Sequence, residues 1–165
     1  MNIINVILDW LHLLATTVWI GGMAFNIGVL RPSLIVIEPA KRVKLVGAVL
    51  KRFIYFAWLS IAALILTGIF LGSGTSQALL NTNYGIALII KHAIVVAMSV
   101  IVALVSFVFF PKLRMFLNNF DEKTSEATKL PPELTTLLGK IVILVKLNLT
   151  LGVIVLLVTA LLEEL

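Results

Sequence analysis

The chain contains no cysteine, so it forms no disulfide, builds no thiolate metal site and ligates no iron–sulfur cluster. It has only two histidines and eight acidic residues among 165. No nucleophile–base constellation, no glycine-rich phosphate loop and no nucleic-acid signature stands out. The first apolar run also lacks the basic n-region of a cleavable signal peptide. It carries Asn2, Asn5 and Asp9 instead and is too long for one, so it is expected to be a true span.

What the chain does have is apolar length. Hydrophobic residues make up 61% of it, and the mean hydropathy of +1.14 lies far above that of an ordinary soluble domain. The runs 5–30, 53–72, 85–110 and 137–162 are each long enough to cross a bilayer at about 1.5 Å per residue. Four spans leave room for little else. The expected fold is all-α, a single integral-membrane four-helix up-down bundle over 1–165, with the lipid bilayer as its first partner and a homo-oligomer compatible with it.

The net charge of +5 points to topology rather than to nucleic acid. Arg31, Lys41, Arg42, Lys44, Lys51 and Arg52 lie in or beside the loop between spans one and two. Lys112, Arg114, Lys123, Lys129, Lys140 and Lys146 lie in or beside the loop between spans three and four. The other ends carry Asp9, Glu163 and Glu164, and the loop 73–83 carries no charge. The positive-inside rule then places the basic loops in the cytoplasm of a cell (inner) membrane protein, with both termini outside. Span one is expected to end before Arg31-Pro32, since proline disfavours helix at the residue before it, and span three to end at Pro111. The stretch 32–52 reads as a short interfacial helix facing anionic head groups, and 118–133 as an exposed linker. No internal repeat beyond the alternation of spans is visible.

Lys91 is the one basic residue outside this pattern, and His92 follows it directly. Ionisable residues inside a membrane are costly and usually have a partner or a task. His12 and His92 enter spans one and three from the same side, ~10–12 Å below the boundary. In an up-down-up-down bundle these spans are diagonal partners, so two imidazoles at one level can clamp a flat macrocycle axially. Helical spacing sets Asp9, His12, Thr16, Trp19, Met23 and Asn26 on one face of span one. Gly22 beside that face leaves room for a ring, and Trp19, first of all a packing residue, lines it. Lys91 is turned about 100° from His92 and can snorkel outward, to a haem propionate or to Asp9. Met23 and Met98 read as core filler, and Lys146 as a snorkelling residue with no role.

These residues carry a family likeness. "WLHLLATTVWIGGMAFNIGVLRP" (10–32), "LTGIFLGSG" (66–74) and "NYGIALIIKHAIVVAM" (83–98) resemble the first three helices of the copper-resistance protein D (CopD) membrane domain. A more distant similarity is to HemJ-like haem-containing membrane proteins, which pair a first-helix histidine with a third-helix lysine. The resemblance implies copper import for the first family and b-type haem redox chemistry for the second. His12 and Lys91 match the family's polar positions, whereas His92 is an addition that favours bis-histidine haem.

The reading preferred from sequence is a small b-type cytochrome near the outer face, a membrane oxidoreductase moving electrons to or from a quinone or an external redox partner. His12 and His92 are its axial metal ligands, Lys91 its propionate partner, and Trp19 and Gly22 line its haem b pocket. The alternative is copper uptake or copper binding without haem, through His12, His92, Met23 and Met98, since thioethers suit Cu(I) and imidazoles suit either oxidation state. A structural bundle with no cofactor is the third reading.

Overall fold

A computed structural model describes residues 3–72, 82–118 and 131–162. Most of the uncharged loop 73–83 and of the linker 118–133, as well as Glu163 and Glu164, lies outside the described residues. Among those residues the structure is all helical. Helix α1 (Ile3–Phe25) runs through a π-helical turn (Asn26–Leu30) into α2 (Arg31–Ser33) and a 3-10 turn (Leu34–Val36). Helix α3 (Pro39–Gly72) returns. Helix α4 (Asn83–Leu104) likewise passes through a π-helical turn (Val105–Phe109) into α5 (Phe110–Asn118), and α6 (Pro132–Leu162) returns.

Four stretches are long and apolar enough to cross a membrane: Ile3–Val36, Lys41–Leu71, Asn83–Asn118 and Pro132–Leu162. Their outward faces are apolar as well. Leu59, Ile69, Phe70, Phe107, Ile143 and Leu157 are all more than half exposed. In water such a surface would aggregate, whereas against lipid tails it is the favourable one. The polar side chains Ser60, Thr67, Ser106 and Asn148 are buried instead. Ser and Thr hydroxyls satisfy themselves on carbonyls one turn back, as Ser99 does on Val95 and Thr159 on Val155, a necessity where no water is available. The protein is an integral membrane protein.

The spans are longer than the sequence suggests, and prolines explain how. A proline ring clashes with the carbonyl four residues back and offers it no N–H. For Pro32 that carbonyl belongs to Gly28, and for Pro111 to Phe107. Both carbonyls fall inside the π-helical turns. Widening the helix there moves the offending carbonyl aside, so each helix continues through its proline rather than ending at it. The expected interfacial helix over 32–52 is also corrected. Its second half is the start of α3, continuous with the span, and the chain reverses only at Ile37, whose backbone is extended. Arg42 clips that reversal by donating to the carbonyls of Ile35 (3.1 Å) and Ile37 (2.9 Å).

Helix α1 packs along α3 and α4 along α6, and the two hairpins meet through α1 with α6 and α3 with α4. Helices α1 and α4 are therefore diagonal. Beyond the alternation of spans, the first helices of the two hairpins share one backbone plan. The two π-helical turns start 79 residues apart, at 26 and 105, and the two prolines are 79 apart as well, at 32 and 111. The same offset pairs buried Trp19 with buried Met98, and buried Met23 with buried Val102. Each half is one antiparallel hairpin whose first helix bulges before a proline. The repeat lies in backbone plan and burial, not in residue identity.

Candidate functional site

His12 projects from α1, half-buried, with its Nδ1 2.7 Å from the Thr67 hydroxyl on α3. That hydroxyl donates its single proton to the carbonyl of Ala63 at 2.7 Å. It can only accept from the ring. In the neutral imidazole Nδ1 is thus the protonated nitrogen, and Nε2 keeps its lone pair. This is how a buried hydrogen bond prepares a histidine to ligate a metal: it holds the ring angle and selects the tautomer.

His92 has the same chemistry in a different place. Its Nδ1 lies 2.7 Å from the carbonyl of Leu88, one turn back on its own helix. A carbonyl only accepts, so here too Nδ1 carries the proton and Nε2 is the free ligand atom. The ring, however, sits on the exposed side of α4. Lys91, not His92, occupies the inward row, half-buried and in line with the core residues Met98, Val102 and Val105. By the repeat offset Lys91 is the counterpart of His12, 79 residues on. His12 lies within the electrostatic reach of Lys91, Asp9 and His92. These four form one neighbourhood at one end of the bundle. Among the described residues, no cluster of three or more His, Asp or Glu side chains is assembled to hold a metal ion.

Trp19 and Gly22 do not belong to that neighbourhood. Trp19 is two turns further along α1, ~10 Å away, 2% exposed and packed in a core cluster with Met23, Met98, Ala57 and Ile61. Gly22 permits the close approach of α3. A Cβ there would come 2.7 Å from Cε2 of Phe53.

Two residues that the sequence reading gave no role are drawn in. Thr67 is the partner that orients His12, and its signal was a hydroxyl inside the apolar run "LILTGIF". Asn148 is 3% exposed in α6, and its Oδ1 has no hydrogen-bond partner among the described residues. A lone amide inside a span is costly, so it was readable in principle.

A family model described as copper resistance protein D matches residues 47–162, most of the chain. The chain belongs to the CopD family. No curated protein and no solved structure matches it. The matched CopD stretch takes in Thr67, Lys91, His92 and Asn148, while α1 with His12 precedes it. In this CopD protein the candidate site is therefore shared between the matched helices and a first helix outside the match.

Proposed function

We propose that this protein binds copper at His12 and passes it into or across the membrane. The histidine end faces outward and the basic end faces the cytoplasm, as the positive-inside rule requires. The observation that carries the reading is the Thr67–His12 hydrogen bond, which leaves Nε2 as a fixed, unprotonated ligand atom. Family membership supports copper as the cargo. Lys91, Asp9 and His92 lie close enough to act on His12 electrostatically, so the charge around the copper-binding imidazole is set at this end of the bundle.

Several placements favour copper over a b-type haem. The Gly22 face is taken up by Phe53. His92 lies on the exposed side of α4. Two cavities in the bundle, of about 20 Å³ and about 60 Å³, have neither histidine in their walls. These residues do not fit a haem between the two imidazoles.

The test is a spectrum and a titration on the purified protein in detergent. Cu(I), supplied under reductant against a chromophoric chelator, should bind, and no Soret band should appear. A Soret band with reducible α and β bands would restore the cytochrome reading.

Lys91 gives a second expectation. Its ammonium and bound copper are like charges in a half-buried site, where screening is weak. Lys91→Met should therefore tighten copper retention in the same chelator competition. A looser hold would instead make Lys91 a ligand.

A further inference from the structure

At the basic end of the bundle a cavity of about 60 Å³ runs between the bulged part of the first span, α3 and α6. Apart from Asn26 and Arg31, every residue lining it is Ile, Leu or Val, among them Leu30, Leu34, Val49 and Val142. Arg31 stands nearer the basic end, and Asn26 lies about 7 Å deeper along the same span. The Arg31 side chain is exposed and forms no hydrogen bond or ion pair among the described residues. Arg42, one turn before the lining residue Val46 on α3, adds a second cation at this end, held by the carbonyls of Ile35 and Ile37.

The second hairpin shows what this place becomes when packing alone decides it. At the 79-residue offset, Leu30, Arg31 and Leu34 correspond to Phe109, Phe110 and Leu113. Leu113 is completely buried there, and both phenylalanines pack against its core cluster. In the first hairpin a cation stands where the second phenylalanine would be, beside an open groove.

Water does not suit such walls, because an ordered water wants two to four polar partners. Hydrocarbon does. The free guanidinium at the mouth calls for a negative group, and arginine matches a phosphate with paired N–H bonds. The positive-inside rule puts this end in the cytoplasmic leaflet, whose anionic lipids settle in basic pockets between spans.

We propose that this groove binds one anionic phospholipid, with its phosphate on Arg31 and one acyl chain against the Leu and Val walls. The order of groups fits, since the Asn26 amide lies below the phosphate and can donate to an ester carbonyl. A lipid seated here touches both the first hairpin and α6, and so joins the two hairpins. The site is at the opposite end of the bundle from His12 and stands independently of the cargo bound there.

The test is native mass spectrometry of the full chain, released from detergent and titrated with phosphatidylglycerol or with phosphatidylcholine of the same chains. One retained phosphatidylglycerol is expected, held more tightly than phosphatidylcholine. Arg31→Gln removes no internal contact, so the fold is not at stake. It should weaken phosphatidylglycerol binding roughly five-fold and erase the preference, whereas Arg114→Gln on the exposed side of α5 should change neither. Leu30→Phe combined with Arg31→Phe copies the second hairpin and should abolish the adduct by filling the groove. Equal binding of the two lipids, or an adduct unchanged in Arg31→Gln or in the double variant, overturns the proposal. Displacement by inorganic phosphate also overturns it, because only an anion site would then remain.

Discussion

His12→Ala is expected to abolish Cu(I) capture at the histidine end of the bundle, and Thr67→Val to weaken it by roughly 10–100-fold. The first change removes the ligand atom. The second leaves every ligand atom in place and keeps the shape of the side chain, but deletes the acceptor of the 2.7 Å bond from Nδ1. The ring is then free to turn, and Nδ1 and Nε2 compete for the proton. Thr67→Ser keeps the hydroxyl and should restore most of the affinity. Chelator competition on the four proteins measures this directly. If Thr67→Val binds copper like the unmutated chain, the hydrogen bond is structural and His12 is not pre-organised for metal.

The neighbouring glycines Gly21 and Gly22 should behave in opposite ways. A Cβ on Gly22 meets Phe53 Cε2 at 2.7 Å, whereas a Cβ on Gly21 meets nothing within 4 Å. Gly22→Leu must push the Phe53 ring out of its place against the central core cluster, an overpacking that costs ~1–3 kcal/mol. Gly21→Leu points to the exposed face and gains helix propensity, so its effect should stay within about 0.5 kcal/mol or favour folding. Phe53→Ala should rescue part of the Gly22→Leu loss by vacating the space. Thermal unfolding in detergent compares the variants, and equal effects at the two glycines would show that α1 and α3 do not pack as described.

That pair of glycines marks the limit of the sequence. "IGG" reads as a place where helices approach closely, but which glycine faces the neighbour depends on the rotation of α1 about its axis. The same holds for "KH". Spacing showed that Lys91 and His92 point in different directions, and only the tertiary packing decided that Lys91 takes the inward row and His92 the exposed side. The asparagine in "KLNLT" was visible as an anomaly, yet its unpartnered oxygen exists only because α1, α3 and α4 close around it.

The repeat was hidden for a related reason. Sequence comparison looks for identical residues, and the two halves share few. What they share is a proline, the helix distortion it demands four residues earlier, and a row of buried positions at one offset. By itself the sequence determined that there are four spans, that they alternate, which end is basic and that no thiol takes part, because those properties follow from hydropathy, length and charge counted along the chain. Only the tertiary structure decided which polar groups meet, since a hydrogen bond such as His12–Thr67 joins residues 55 apart and depends on how four helices are turned towards one another.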